Sequence, residues 1–157
     1  MRASNEDNPP AHGEVRVQFD HIGVVTRSLA DGRAALEALL PIHEWTGEVT
    51  DPVNGVSVQF GRDSSGVCYE LIAPLGVNSP VAKTLSTGKN ILGHVAYLVT
   101  DLDAERERLR AAGAVPTADA KPALAYGGRH IQFFVTPMRF IIELIEAPDH
   151  KHSYQDA

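Results

Sequence analysis

The sequence predicts an α+β fold made of two tandem βαβββ modules, because its two halves repeat one another. The segments "CYELIAP" at 68–74 and "IIELIEAP" at 141–148 are similar, and each places a glutamate among aliphatic residues. Three pairs of residues are 73 positions apart: His21 and His94, Gln59 and Gln132, and Glu70 and Glu143. A constant offset indicates that one structural unit occurs twice. Packing of the two copies about a pseudo-twofold axis would place equivalent residues around one shared cavity.

The first module begins with a strand and continues with an amphipathic helix. The strand is "VQFDHIGVVT" at 17–26, and the helix is "SLADGRAALEALL" at 28–40, where the Ser28 hydroxyl can cap the first turn. Strong turn sequences, "DPVNG" and "RDSSG", divide the rest of the module. Three strands are therefore predicted at about 42–49, 55–61 and 67–73.

The second module repeats this order. "ILGHVAYLVT" at 91–100 is the strand, and "DLDAERERLRAAG" at 101–113 is the helix, with Asp101 as its cap and Gly113 as its stop. Three further strands are predicted at about 114–118, 129–135 and 139–146.

The predicted domain boundaries follow from these elements. One domain is expected over 16–148. It divides into module one at about 16–74, a linker at 75–90 with a short helix at 80–85, and module two at about 91–148. The N-terminal segment 1–15 is predicted to be disordered, and 149–157, with His150 and His152, is predicted to be a loose tail.

Composition limits the classes of protein to consider. The chain has 157 residues, of which 43% are hydrophobic and 22% charged, as expected of one soluble globular domain. A net charge of −6 argues against binding to nucleic acid. The single cysteine, Cys68, excludes an internal disulfide, and the N-terminus has no apolar signal segment. We expect a cytoplasmic protein that does not bind membranes.

The two repeated glutamates require compensation. Side chains alternate faces along a strand, so Glu70 shares a face with Cys68 and Ile72, and Glu143 has isoleucines as its neighbours. The opposite faces are also apolar. Burial of an unpaired carboxylate costs on the order of several kcal/mol, so each glutamate needs a partner.

The two repeated histidines can supply that partner. His21 and His94 also project from apolar strands, and twofold geometry would bring them together with the glutamates. Two imidazole nitrogens and two carboxylates suit one divalent transition metal, with further positions for water or substrate. The predicted metal ligands are His21, Glu70, His94 and Glu143. The ion is expected at one per chain, and cobalt, nickel, zinc, manganese and iron all remain open.

The sequence resembles the vicinal oxygen chelate superfamily of glyoxalases, bleomycin resistance proteins and dioxygenases. The resemblance covers roughly 17–148 and is strongest to the methylmalonyl-CoA epimerase branch, through "FDHIGVV", "YELIAPLGVNSPVAKTL", "GHVAYLVTDLDAERERLRAAGA", "GGRHIQFF" and "IIELIEAP". It implies an eight-stranded, cleft-like half barrel that holds the metal through the same four residues.

Two positions depart from the epimerase pattern. Epimerases commonly have glutamine where this chain has Glu70, and the resulting ligand set is similar to that of bacterial glyoxalase I. The family's second catalytic base lies on the strand corresponding to 55–61, where this chain aligns Val58 next to Gln59. Neither residue can accept a proton.

The resemblance implies a metal-dependent epimerase or isomerase. Such an enzyme removes a proton next to a carbonyl or thioester, and the metal stabilises the resulting enediolate. We expect Glu143 to act as the base and Glu70 to serve the opposite face. A glyoxalase I-type lyase acting on a thiol hemithioacetal is the first alternative. An extradiol dioxygenase with His21, His94 and Glu143 as an iron triad, and a non-enzymatic antibiotic-binding protein, are further alternatives.

Substrate contacts are predicted from residues near the repeated strands. The loop that begins at Tyr126 offers a position for a phosphate or carboxylate group of a substrate. The predicted substrate contacts are Gln59, Gly128, Arg129, His130 and Gln132. An acyl-CoA or a thiol adduct is the expected substrate, and scattered lysines are candidates to bind a CoA tail: Lys83, Lys89 and Lys121. Homodimers are frequent in the superfamily, so a homodimer is expected.

Overall fold

A computed structural model of the chain describes residues 17–88 and 92–155. The strands are β1 (Val17–Val25), β2 (Ile42–Thr46), β3 (Val49–Asp51), β4 (Val56–Asp63), β5 (Cys68–Pro74), β6 (Leu92–Val99), β7 (Val115–Pro116), β8 (Lys121–Ala123), β9 (Arg129–Val135), β10 (Ile141–Ile145) and β11 (Tyr154–Gln155). The helices are α1 (Leu29–Leu39), α2 (Pro80–Thr87) and α3 (Leu102–Ala111), and a 3₁₀ turn spans Leu124–Tyr126. The predicted disordered segment 1–15 and the end of the predicted linker lie outside the described residues.

One sheet contains the strands of both modules. Its order is β11-β2-β4-β5-β1-β6-β10-β9-β7, with β3 paired to β4 and β8 paired to β9. The two halves meet where β1 and β6 pair antiparallel, and each of these strands pairs in parallel with the last strand of its own module. The predicted α+β fold with two βαβββ modules is therefore confirmed. In the described ranges, eight strands belong to the repeated modules, and three short strands are additional.

The register at the centre of the sheet has the predicted twofold symmetry. In the β1–β6 pair, Gly23 lies opposite His94 and His21 lies opposite Ala96. A shift of 73 positions takes Gly23 to Ala96 and His21 to His94, so it converts each pair into the other. The same shift relates the pairing of Gly23 with Glu70 to that of Ala96 with Glu143. The four strands that carry the predicted metal ligands are therefore neighbours at the centre of the sheet.

Contacts between the two modules show that the sheet is strongly curved. The Leu124 backbone N–H donates to the Asp51 carboxylate at 3.1 Å, and the Asn54 side chain donates to the Pro122 carbonyl at 2.9 Å. These residues adjoin β4 and β9, which lie far apart in the strand order. Their contact closes the sheet into the half-barrel shape and leaves a cavity inside it.

The helices of the two modules cover the outer face of the sheet. Leu29 at the start of α1 belongs to a core cluster with Trp45 and Leu71, and Leu102 and Leu109 of α3 belong to another. The predicted caps are present, since the side chains of Ser28 and Asp101 accept hydrogen bonds from backbone N–H groups three residues later. None of the helices in the described ranges is both long and apolar enough to span a bilayer.

Two predicted strands are shorter than the sequence suggests. The run at 42–49 is divided into β2 and β3. The ladder is interrupted there because the Phe60 N–H donates to the Thr46 hydroxyl, at 3.1 Å, and not to a backbone carbonyl of the neighbouring strand. The run at 114–118 retains only β7, although the Thr117 N–H, one residue after its end, still donates to the Phe133 carbonyl of β9 at 2.9 Å.

The prediction of a loose tail at 149–157 is wrong for residues 149–155, which the structure describes. Tyr154 and Gln155 form β11, which pairs antiparallel with Thr46 and Trp45 of β2. Contacts with the first module, which the sequence pattern does not reveal, hold this segment in place: the pairing with β2, and side-chain contacts with Asp20 and Cys68.

Core packing predicts a difference between two leucine substitutions. Leu144 of β10 is 1% exposed, whereas Leu39 at the end of α1 is 77% exposed. Leu144→Ala should lower the free energy of unfolding by about 2–5 kcal/mol, because it leaves a cavity. Leu39→Ala should change it by less than about 0.5 kcal/mol. Urea denaturation followed by circular dichroism measures both, and equal effects would contradict the assigned core.

Candidate metal centre

Four ionisable side chains converge between the two modules. His21 lies on β1, Glu70 on β5, His94 on β6 and Glu143 on β10. The Nε2 atoms of the two histidines are 3.0 Å apart. The Nε2 of His21 lies 2.9 Å from the Oε2 of Glu70, and the Nε2 of His94 lies 2.8 Å from the Oε2 of Glu143. The two cross-module distances between nitrogen and oxygen are both 3.3 Å. The predicted four-residue set is therefore present as one cluster.

All four side chains are buried, and their charges perturb one another. Burial raises the pKa of the Glu70 carboxyl, but His21 and His94 oppose it and lower the pKa to about 2. Burial lowers the pKa of His94, but the carboxylates of Glu143 and Glu70 raise it to about 9. The pKa of His21 is likewise raised well above its usual value, against burial, by Glu70, Asp20 and Glu143. In the absence of a metal, protons on the histidines compensate the buried carboxylates.

The donor set and its spacing fit one divalent transition-metal ion. Nitrogen and oxygen ligands bind such an ion at about 2.0–2.2 Å, so neighbouring ligands at right angles lie about 3 Å apart. The four atoms lie within 4.8 Å of one another, and the histidine–glutamate distances of 2.8–3.3 Å agree with this spacing. The Oε2 atom of Glu143 is buried beside the Nε2 atoms of His94 and His21, at 2.8 and 3.3 Å, where a cation held by these nitrogens would also reach it.

Gly23 gives the His94 ring the space that it occupies. A Cβ atom at position 23 would lie 2.3 Å from Cε1 and 2.7 Å from Nε2 of His94. Atoms cannot approach so closely, so any side chain at this position would displace the imidazole. The equivalent position in the second module is Ala96, opposite His21.

A β-bulge allows Asp20 to support its neighbour, His21. Adjacent residues on a regular strand point to opposite faces, but the β1–β6 register shifts between Phe19 and His21. The Asp20 Oδ2 accepts hydrogen bonds from the His21 Nδ1, at 2.7 Å, and from the Tyr126 hydroxyl, also at 2.7 Å. A carboxylate bound to the outer nitrogen of a metal-ligating histidine fixes the orientation and tautomer of the ring.

A cleft of about 760 Å³ opens on the other side of the cluster. Glu70, His94 and Glu143 all line it, whereas His21 is completely buried. The walls are largely apolar and include Val58 and Phe133, and α2 contributes Val81 and other residues on one side. The volume lies in the range typical of small-molecule sites.

Only part of the predicted set of substrate contacts lies in this cleft. Gln132 lines it, but the buried Gln59 instead donates to the Thr46 carbonyl at 2.9 Å. The other three predicted contacts are exposed, and they are not among the described residues that line the cleft: Gly128, Arg129 and His130. Of the candidate lysines, Lys83 and Lys121 line the cleft, and Lys89 lies outside the described residues.

Sequence reasoning missed three residues around His21. Strand alternation predicts that Asp20 points away from the site, because a bulge cannot be recognised from the periodicity of the sequence. Tyr126 lines the cleft, as expected of a residue that faces a substrate, but its hydroxyl lies behind His21, 3.1 Å from Nδ1. His152 is expected in a loose tail. The adjacency of Asp20 and His21 is the one available signal in the sequence.

Comparisons with known proteins identify similar sequences. The family model of the Glyoxalase/Bleomycin resistance protein/Dioxygenase superfamily matches residues 20–133. An ethylmalonyl-CoA/methylmalonyl-CoA epimerase of Cereibacter sphaeroides is 36% identical over 86 residues, which are 53% of this chain and 62% of that protein. The match therefore spans less than two thirds of the epimerase. The protein YqjC of Bacillus subtilis is 30% identical over 139 residues, which are 87% of this chain and 96% of YqjC.

The fold is also similar to that of a solved epimerase. The crystal structure of methylmalonyl-CoA epimerase from Mycobacterium tuberculosis matches with a TM-score of 0.65 and 25% identity. The match covers 82% of this chain and 86% of that one.

The contact between Gly23 and His94 predicts that Gly23→Ala weakens metal binding. The added methyl group must push the imidazole away from the other three donors, so the affinity for Co²⁺ should fall by at least about tenfold. Competition with a chromophoric chelator measures this affinity. Gly66→Ala is a matched control because a Cβ atom at that position would have no neighbour within 4 Å, although the positive φ of Gly66 gives the substitution a small cost in stability. Equal Co²⁺ affinities in both variants would contradict this role of Gly23.

The raised histidine pKa values predict that metal affinity depends on pH. His94, with a pKa of about 9, is protonated at neutral pH and must lose its proton to bind a metal. The dissociation constant for Co²⁺ should therefore decrease by about tenfold for each pH unit between pH 6 and 8, for each proton displaced. Calorimetry in buffers of different ionisation enthalpy counts the protons released. A dissociation constant that does not change over this range would contradict the prediction.

Proposed function

The chain belongs to the glyoxalase/bleomycin resistance protein/dioxygenase superfamily, and from this premise we propose that it is a metal-dependent, epimerase-like enzyme. Its proposed reaction is proton transfer at the carbon next to the thioester carbonyl of an acyl-CoA. The similarity to the epimerase of Cereibacter sphaeroides supports this reaction class.

The position of the two carboxylates carries the proposal. Glu70 and Glu143 belong to different modules and approach the histidine pair from two sides, and both line the cleft. Epimerisation needs a group that removes a proton from one face of a carbon and a group that returns a proton to the other. Val58 also lines the cleft and cannot take part in proton transfer. We infer that Glu143 is the base on one face and that Glu70 serves the opposite face.

The metal would be held by the four residues of the cluster: His21, Glu70, His94 and Glu143. When bound, a divalent cation supplies positive charge that stabilises the negative charge developing on a carbonyl oxygen and acidifies the adjacent C–H group. The buried histidines fix the cluster in place. The largely apolar cleft walls limit the access of water to the two glutamates.

A basic groove next to the cleft favours an acyl-CoA over a smaller substrate. The groove has a volume of about 710 Å³ and shares Lys121 and Gln132 with the cleft. Arg106 and Arg110 of α3 also line it, together with Glu107 and Asp119. Arg106 is paired with Asp103 at 2.6 Å and Arg110 lies 3.9 Å from Glu107, so the phosphate groups of CoA would share these arginines with the carboxylates and would also meet Lys121. The acyl end would lie at Glu70 and Glu143.

The ligand set favours a glyoxalase I-type lyase as a second candidate function. Glu70 occupies a position where epimerases commonly have glutamine. Both reactions use proton transfer next to a carbonyl, so the cluster supports either. The two reactions differ in substrate. The lyase acts on the hemithioacetal of a small thiol and would not need the basic groove.

Proton exchange tests the proposed function directly. Wild-type protein loaded with Co²⁺ should exchange the α-proton of methylmalonyl-CoA for deuterium in D₂O, as measured by mass spectrometry. Glu143→Gln and Glu70→Gln should each slow exchange by about 10²–10⁴-fold, because each removes a proton-transfer group. Glu48→Gln, at an exposed position, is the matched control and should retain full exchange.

Metal content must be measured on the same samples, because the two glutamates are also proposed ligands. A Glu143→Gln variant that keeps its metal and exchanges at the wild-type rate would contradict the assignment of the base. Turnover of the hemithioacetal of methylglyoxal, without exchange in the acyl-CoA, would favour the lyase.

A further inference from the structure

The C-terminal segment 149–155 forms a strap that joins the two modules behind the metal centre. It leaves the end of β10 in module two and reaches the edge of module one, where β11 pairs with β2. Tyr154 anchors it, because its hydroxyl donates to the Cys68 Sγ at 3.1 Å and the Arg62 guanidinium lies 4.3 Å from its ring centroid. The strap therefore has a defined path against the half barrel.

His152, in the middle of the strap, is held by two different contacts. Its Nε2 lies 2.9 Å from Oδ2 and 3.1 Å from Oδ1 of Asp20. Its ring stacks on Phe60 with 4.1 Å between ring centroids and 28° between the planes. The side chain is 9% exposed. Stacking fixes the plane of the imidazole, and the nitrogen then meets the Asp20 carboxylate.

Asp20 connects the strap to the metal centre. Its Oδ2 accepts from His21 Nδ1, the Tyr126 hydroxyl and His152 Nε2, so three groups on separate elements converge on one carboxylate. Because Asp20 occupies a bulge, the regular ladder does not determine the direction of its side chain. Contact with His152 supplies part of that constraint.

The second module has no equivalent arrangement among the described residues. The β1–β6 register also shifts next to His94, and Gly93 occupies the bulge position that corresponds to Asp20. Glycine has no side chain with which to support His94. The strap and Asp20 therefore act on only one of the two histidines.

We propose that His152 is a positioning residue for the metal centre: through Asp20 it holds the His21 ring with Nε2 directed at the other three donors. This inference rests on the proposed metal site. A loose Asp20 carboxylate would let the His21 ring rotate or change tautomer, and the cluster would then bind a metal less tightly. The strap is thus part of the site, although it lies outside the repeated modules.

Cobalt binding to full-length variants tests this proposal. His152→Phe keeps an aromatic ring to stack on Phe60 but removes the contact with Asp20. It should weaken Co²⁺ binding by about 10- to 100-fold, as outer-shell substitutions typically do. His152→Gln keeps an N–H donor and should recover most of the affinity. His43→Phe, at an exposed position on β2, is the matched control and should bind Co²⁺ like the wild type.

A double-mutant cycle identifies the route of the effect. If His152 acts through Asp20, His152→Phe should have little further effect on Co²⁺ affinity in an Asp20→Asn background. The visible spectrum of bound Co²⁺ should also change in His152→Phe, because the ligand geometry changes. Thermal unfolding of the metal-free variants separates these effects from a general loss of stability.

The possible results distinguish a failure of the proposed metal site from a failure of the role proposed for the strap. Wild-type protein that binds no Co²⁺ would overturn the metal centre and this proposal with it. Tight binding by the wild type and equally tight binding by His152→Phe would overturn the proposal alone, even if the variant unfolds at a lower temperature. Additive losses in the double mutant would also overturn it, because His152 would then act independently of Asp20.

Discussion

The burial of two glutamates beside two histidines is the constraint on which this structure depends. A carboxylate surrounded by apolar strands is costly, and here two of them share one enclosed space. Their cost is offset because β1 and β6 bring His21 and His94 within 2.8–3.3 Å of Glu70 and Glu143. A protonated imidazole or a metal ion can supply the compensating charge. The central register of the sheet must therefore be maintained, since a slip of one residue would turn these side chains to the wrong face.

The two modules supply equivalent residues to the cluster, but the surroundings of these residues differ. The bulge before each histidine holds Asp20 in the first module and Gly93 in the second. His21 is consequently supported from behind, while His94 packs over Gly23 and lines the open cleft. One side of the cluster is closed by hydrogen-bonded polar groups, and the other side is accessible to a small molecule. This difference leaves one side of a symmetric cluster open to the cleft.

The proposed chemistry follows from this directional site. A carboxylate from each module reaches the same cleft, so a carbon acid bound there would meet a proton-transfer group on each face. Apolar walls keep water away from these groups, and the basic groove beside Gln132 extends the site towards the solvent. In the proposed reaction, Glu70 takes the place of the acid–base residue that is missing at Val58.

The sequence by itself determined the duplicated βαβββ modules, the family resemblance that the comparisons confirm, and the four residues of the cluster. A constant offset of 73 positions carries this information, because equivalent residues in a duplicated fold meet near its twofold axis. Only the tertiary structure decided the surroundings of the cluster. Strand alternation predicts that Asp20 and His21 point apart, and the bulge reverses that expectation. No local pattern indicates that His152 reaches Asp20, 132 positions away in sequence, because that contact depends on how the curved sheet encloses the C-terminal strap.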